Sequence, residues 1–225
     1  MPRWLARFES WPVELSGHTP SGEPLLLRAL QVKDRAEFQA VRRANREWLA
    51  PWDATSPDEA PTSVTFRDLV RNYDREAKAG RSLPFVVEFE GRIVGQMNLS
   101  SITYGSFRSC SAGYWVSRSV AGRGITPTAL ALAGDYALGS LGLHRIEVNI
   151  RPENTPSLAV VRKLAFREEG SRLRMLHIDG AWRDHLSFAL TTEDLAGGTL
   201  TERLKQREQH RQQESHWRHT EAGPL

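Results

Sequence analysis

The chain carries one cysteine, Cys110, which excludes an intrachain disulfide and a multi-cysteine zinc site. No apolar stretch approaches the ~18 residues that a membrane span requires, and the N-terminus has no secretory h-region. The expectation is a soluble, cytoplasmic protein. Excess charge of either sign is also missing: 30 basic residues face 27 acidic ones, for a net charge of +3. That balance is too even to argue nucleic-acid binding. No histidine occupies an obvious general-base position. His177 and His185 fall on strands expected to pair, but two histidines without a third ligand make a poor metal site, and no metal is expected.

What is present suffices for one sizeable domain. The 225 residues are 40% hydrophobic and include seven tryptophans, enough for a real core. The most informative stretch runs from Ala112 to Ala137. Tyr114, Trp115 and Val116 are aromatic and β-branched and suit a half-buried strand. Ala121-Gly122-Arg123-Gly124-Ile125 then leads into a helical pattern with Leu130, Ala133, Ala137 and Leu138 on one side. Pro127 fits the first helical turn. A strand, a glycine-rich turn and a helix N-terminus together form an anion site, because free N–H groups and the helix dipole both favour negative charge. Glycines there let a phosphate approach the backbone without striking a Cβ.

Three phosphate ligands compete for the turn. A nucleotide P-loop needs Lys-Ser or Lys-Thr after its second glycine, and Ile125-Thr126 follow Gly124. A dinucleotide fold needs a third glycine where Pro127 stands, and a βαβ repeat that is missing. The third reading is coenzyme A, whose pyrophosphate can sit on this turn while its pantetheine lies beside the preceding strand. An ordinary strand-to-helix connection remains the alternative.

Around this stretch the spacing predicts a short strand near Val13 to Leu15, a strand over Leu25 to Leu30, and a helix opened by an Asp34-x-x-Glu37 capping box and running to about Arg46. Trp48-Leu49-Ala50-Pro51-Trp52 then breaks that helix. A second helix is expected from Ser63 to Ala79, stopped by Gly80. A β-meander follows over Leu83–Phe89, Ile93–Tyr104 and Ser111–Ser117. The helix from Ile125 to Leu141 crosses back to a strand at His144–Arg151, which makes the strands at 111–117 and 144–151 parallel neighbours. Asn154 or Thr155 caps the next helix, and Asp179-Gly180 turns a hairpin between Ser171–Ile178 and Trp182–Leu190. Residues 199–225 are nearly all polar. They read as a solvated helix or loose tail appended to a domain over 1–198, with a ribosome- or RNA-contacting arm as a further reading.

Taken together, Gly113-Tyr114-Trp115-Val116, Gly122-Arg123-Gly124, Arg145-Ile146-Glu147, Asn154-x-x-Ser157 and Lys163-Leu164-Ala165-Phe166 resemble the GNAT acetyltransferases. Within them the pattern is similar to the branch that acetylates N-terminal amines of ribosomal proteins. The resemblance implies an α/β GNAT fold: a mixed, mostly antiparallel sheet flanked by helices, whose fourth and fifth strands are parallel and splay around the pantetheine. It implies acetyl-CoA as co-substrate, with Tyr114, Trp115, Val116, Arg118, Ala121, Gly122, Arg123, Gly124, Ile125, Thr126, Asn154 and Ser157 along it. The family's pyrophosphate motif begins with Arg or Gln and ends with Gly or Ala. Here those positions fall on Ala121 and Thr126, so Arg118 or Arg123 is expected to supply the side-chain contact. Trp48 and Trp52 are either core residues or, as the resemblance implies, a wall of the acceptor groove.

Transfer of acetyl to an amine needs a neutral amine, a stabilised oxyanion and a proton for the departing thiolate. An α-amine, with a pKa near ~7.7–8.0 against ~10.4 for lysine, is partly neutral already, so a modest base or held water suffices. Glu147 is the first candidate for base, with Asn149 on the same strand face as the alternative. Glu147 could equally be a salt-bridge partner of Arg145 or Arg151. By resemblance Ser157 meets the coenzyme sulfur and protonates the thiolate, and Asn154 contacts the pantetheine amide. The oxyanion donor is expected to be a main-chain N–H near Val116. The expected acceptor is a protein N-terminus, as resemblance implies. A small amine such as an antibiotic or polyamine is the rival, for which Asp53, Asp58 and Glu59 could form an acidic pocket. A non-catalytic acetyl-CoA-binding module is a third reading. The assembly is expected to be a monomer or homodimer.

Overall fold

The computed structural model describes residues 11–58 and 64–221, leaving out the side chains of 211, 212 and 214–221. Eight strands build one sheet: β1 (Leu15–His18), β2 (Pro24–Ala29), β3 (Leu83–Phe89), β4 (Arg92–Thr103), β5 (Ser109–Val116), β6 (Arg145–Ile150), β7 (Arg167–Ile178) and β8 (Ala181–Thr191). Their spatial order is β1-β2-β3-β4-β5-β6-β8-β7. Every neighbouring pair is antiparallel except β5 and β6. The β3–β4 turn is set by Glu90 and Gly91, both left-handed with φ 52° and 71°, as a tight hairpin requires.

Helices cover both faces. On one side lie α1 (Arg35–Ala44), the short α2 (Arg46–Leu49) and α3 (Phe66–Lys78). Phe38, Phe66 and Val70 from these helices meet Leu30, Val86 and Ile93 of the sheet layer. On the other side lie α4 (Ile125–Asp135), α5 (Thr155–Lys163) and α6 (Leu200–Glu221). The strand residues of opposite parity face them, so Phe85, Met97, Leu99, Ile146 and Val148 join Leu130, Val161 and Leu164 in the main core.

Two local expectations are corrected. Asp34 precedes α1 without capping it: its carboxylate accepts from the Gln31 N–H at 2.8 Å and from Arg28 at 2.7 Å. Glu37 reaches across to the Ile93 N–H at 2.9 Å, so a tertiary partner outcompetes the local one. The C-terminal segment is not a loose tail over its first turns. Leu200 and Leu204 are buried in the main core, each worth about 1.5–3 kcal/mol of transfer energy. Asp135 accepts from the N–H groups of Leu200 (2.6 Å) and Thr201 (3.1 Å), which caps the helix from outside its own chain segment. The rarity of apolar residues in 199–225 concealed that two of them suffice to seat the helix. Ser63 and Glu59 lie outside the described residues, and α3 begins after its Thr65 cap, whose side chain accepts from the Asp68 N–H.

The parallel contact between β5 and β6 spans only Ser109↔Arg145, Cys110↔Ile146 and Ser111↔Glu147. Beyond it β5 continues against β4 as far as Val116, and β6 continues against β8 as far as Ile150. The two strands therefore diverge, and the gap opens toward the glycine-rich turn.

Candidate active site

A cavity of about 530 Å³ occupies that divergence. Tyr114, Trp115 and Val116 of β5 line it, together with Ala121, Gly122, Gly124, Ile125 and Thr126 of the turn, Asn154 and Ser157 of α5, and Trp48 and Trp52. Residues picked from distant parts of the sequence are thus brought to one place. Arg118, Arg123, Glu147 and Asn149 are not part of the lining.

The turn is shaped by its glycines. Gly122 and Gly124 have φ of 85° and 77°, the left-handed region that favours glycine. A Cβ at Gly124 would also lie 2.6 Å from Pro20 Cδ. Gly124 is the N-cap of α4 and brings no side chain to it. The first N–H groups of the helix therefore have no side-chain cap, which leaves them for an anion.

The end of β5 is held from the opposite face. Asn45, itself buried, donates to Ser117 Oγ at 3.0 Å and accepts from the Arg118 N–H at 2.8 Å. One turn later the Trp48 indole N–H donates to the Val116 carbonyl at 3.1 Å. The Ser117 N–H is bonded to Val94 O on β4 at 2.7 Å. Alternation along a strand then turns the Val116 N–H the other way, toward the gap. Trp48 sits in α2 rather than in a helix break, and both Trp48 and Trp52 are half-buried.

On α5, Asn154 Oδ1 accepts from the Ser157 N–H at 3.1 Å, so Asn154 is the N-cap and Ser157 begins the lining stripe. The Tyr114 hydroxyl donates to the Ser157 carbonyl at 3.5 Å. Burial raises the Tyr114 pKa well above the usual phenol value, so at working pH this hydroxyl is a proton donor and not a base.

Glu147 stands where β5 and β6 are still paired, opposite Ser111. Its two oxygens accept from Arg145 Nε and from Arg172, each at 2.9 Å. Arg145 was one of the expected partners; Arg151 instead donates to Pro51 O at 2.8 Å and stacks on Trp52. Asn149 lies beyond the last β5–β6 pair and accepts from Ser187 Oγ at 2.7 Å. Arg123 turns away from the cavity, donating to Glu23 at 2.6 Å and Glu90 at 2.9 Å and covering the Phe89 ring. Arg118 is exposed and lies over the Trp48 ring at 5.8 Å. Asp53 is paired with Arg42 at 2.7 Å. His177 faces Trp182 and His185 faces Arg172 across the hairpin, so the two histidines are not cross-strand partners. Among the described residues no three His, Cys, Asp or Glu side chains gather as a metal site would need.

The sequence reading missed Lys163 as a site residue. It completes a stripe with Asn154, Ser157 and Val160 along α5, all lining the cavity. The three-residue spacing was the available signal.

Residues 24–167 match the family model described as Acetyltransferase (GNAT) domain. The chain belongs to the GNAT acetyltransferase family. It is therefore an acetyl-CoA-dependent N-acetyltransferase. The structure of Mycobacterium smegmatis RimJ in complex with CoA-disulfide is 38% identical with a TM-score of 0.79, covering 86% of this chain and 94% of that one. The [Ribosomal protein uS5]-alanine N-acetyltransferase of Escherichia coli is 30% identical over 176 residues, 77% of this chain and 91% of its own length. The spermidine N(1)-acetyltransferase of Escherichia coli is 28% identical over 174 residues, 76% of this chain and 88% of its own.

The acetyltransferase's own residues fit the coenzyme. A side-chain-free turn with uncapped N–H groups suits a pyrophosphate, and the apolar walls at Val120, Ile125 and Val160 suit a pantetheine arm. Among the described residues no helix is long and apolar enough to cross a membrane.

Proposed function

We propose that this acetyltransferase moves the acetyl group of acetyl-CoA onto the N-terminal α-amine of a protein, with ribosomal proteins as the first class to test. The observation that carries this reading is the cavity lining, which among the described residues holds Trp48 and Trp52 but no carboxylate. A polyamine is a multiple cation and needs acidic partners. Asp53, one of the acidic candidates, is paired with Arg42. A peptide N-terminus needs walls for its first side chains and carries one charge that is partly lost at neutral pH.

When bound, acetyl-CoA supplies an activated acyl group with a thiolate leaving group. The chain's part is positioning and polarisation. Main-chain N–H groups at Gly124–Thr126 hold the pyrophosphate, and the Val116 N–H serves as donor to the developing oxyanion. Ser157 and the protonated Tyr114 are the hydroxyls on hand to donate to the sulfur. Glu147 is assigned to holding β6 and β7 together, because both its oxygens are taken by Arg145 and Arg172 and it does not line the cavity. Asn149 is bonded to Ser187 outside the lining, and the amine loses its proton to water.

Thiol release with acetyl-CoA and a panel of N-terminal peptides, run beside spermidine, tests the acceptor. Peptides beginning with Ala or Ser should turn over at least tenfold faster in kcat/KM than spermidine. The reverse order would overturn the assignment. Turnover of neither, with acetyl-CoA still bound, would favour a non-catalytic coenzyme-binding protein. Ser157→Ala should lower kcat by ~10²-fold with little change in coenzyme affinity.

A further inference from the structure

Among the described residues, Lys163 is the one charged residue in the cavity lining. Along α5 it lies six residues beyond Ser157, roughly 9 Å farther down the helix axis, on the same stripe. The stripe therefore begins with uncharged polar groups at Asn154 and Ser157, passes Val160, and ends on an ammonium. Coenzyme A has the matching profile, with a neutral pantetheine arm at one end and several phosphate charges at the other. Of the cations the sequence offered for that end, Arg123 is engaged with Glu23 and Glu90, and Arg118, exposed over the Trp48 ring, is not part of the lining.

The ammonium is already paired. Lys163 Nζ lies 3.2 Å from Glu208 Oε1, and Glu208 is buried within α6. The same helix is fixed to the end of α5 by Arg207, which donates to Arg162 O at 2.6 Å and to Lys163 O at 3.3 Å. Arg203 adds a bond to Leu164 O at 3.2 Å. The carboxylate is thus held beside the lysine by a rigid joint rather than by chance contact of two mobile side chains.

We propose that Lys163 is the side-chain cation for the phosphate half of the coenzyme, and that Glu208 on the C-terminal helix holds it in check. The inference rests on the reading that the cavity binds acetyl-CoA. A buried carboxylate beside this lining cation lowers the local positive potential and repels an incoming polyanion. Removing that charge while keeping an acceptor oxygen for Lys163 should therefore tighten coenzyme binding.

Calorimetric titration of CoA into the full chain tests this, with pantetheine as the phosphate-free probe. Lys163→Met should weaken CoA about tenfold and flatten its salt dependence. Glu208→Gln should tighten CoA several-fold, and the double variant should bind like Lys163→Met alone. None of the three should alter pantetheine binding. If Lys163→Met binds CoA as the wild type does, or if Glu208→Gln weakens CoA or acts equally in the Lys163→Met background, the proposal is wrong. Failure of the wild type to bind CoA at all would instead remove the parent reading, and this one with it. Should Glu208→Gln unfold, the four lysines of the chain permit a second measurement by NMR of ¹³C-methylated lysine. The Lys163 resonance should shift with CoA and stay still with pantetheine, and the opposite pattern refutes the proposal.

Discussion

Substituting Gly124 with alanine tests the glycine-rich turn most directly, because Gly122 provides an internal control. Both residues are left-handed, at φ 77° and 85°, so alanine at either costs about 1–2 kcal/mol of backbone strain. They differ in what a Cβ would meet. At Gly122 there is nothing within 4 Å, whereas at Gly124 the Pro20 ring stands at 2.6 Å. Relieving that overlap requires the turn or the β1–β2 connection to move, at a further cost of about 1–3 kcal/mol. The sum for Gly124→Ala is about 2–5 kcal/mol, or roughly 10 °C in Tm for a domain of this size. Gly122→Ala should lose no more than about half of that. Thermal melts monitored by circular dichroism give the stability order. Titration with CoA gives the functional one, since displacing Gly124 displaces the first N–H groups of α4. Equal melting points and equal CoA affinities for the two variants would refute the claim that close approach to Pro20 fixes this turn.

Cys110 is buried and its thiol pKa is pushed up to about 12 by burial first and by Glu147 second; at pH 8 roughly one thiol in ten thousand is ionised. The native protein should therefore not react with Ellman's reagent over an assay, and should release one thiol equivalent per chain only after denaturation. Glu147→Gln should leave kcat within about threefold of wild type while costing about 1–2 kcal/mol in urea unfolding; a hundredfold loss of kcat without loss of stability would restore Glu147 as the base. Asn45→Ala removes both bonds to the turn after Val116 and should cost about 1–3 kcal/mol, with a fall in kcat larger than any rise in the KM for acetyl-CoA. Asp135→Ala should let the first turn of α6 fray, seen as faster amide exchange at Leu200 and Thr201 than in the rest of the core; unchanged exchange there would deny Asp135 its capping role.

How much of this was legible depended on whether a residue's partner lies near it in sequence. The strands from Leu83 to Val116, the crossover helix and the hairpin around Asp179-Gly180 carry their own signals of alternation, glycine turns and proline placement, and they form as expected. So does the Asn154 cap, which needs only Ser157, three residues on. Asp34 misled because a capping pattern competes with any better partner, and Arg28 is a better partner. Arg123 misled in the same way: adjacency to two glycines suggests a phosphate contact, but Glu23 and Glu90 arrive from the β1–β2 and β3–β4 connections. Lys163 and Glu208 are 45 residues apart, so their pairing has no local signal, although the three-residue spacing from Asn154 did mark Lys163. Asn45 and Trp48 are an i, i+3 pair whose shared target, the end of β5, is likewise invisible until the sheet is assembled.

The two ends of the cavity are consequently held by different kinds of structure. At the end proposed for the pyrophosphate the uncapped groups are main-chain amides, so the sequence shows them only as glycines, the absence of side chains. Toward the acceptor, the Val116 main chain is set by the α1–α2 junction, through Asn45 and Trp48. α6 reaches the cavity at a third point, through Lys163. The turn and α6 are coupled through α4, whose Asp135 caps α6, whereas Asn45 and Trp48 reach the end of β5 from the α1–α2 side. Acceptor choice can then drift through α2 and the loop carrying Trp52 while the turn and α4 keep their geometry. That separation gives a physical reason why one GNAT scaffold accommodates relatives named for a ribosomal-protein alanine and for spermidine, and in this chain Trp48 and Trp52 line the cavity while Arg118 and Arg123 do not.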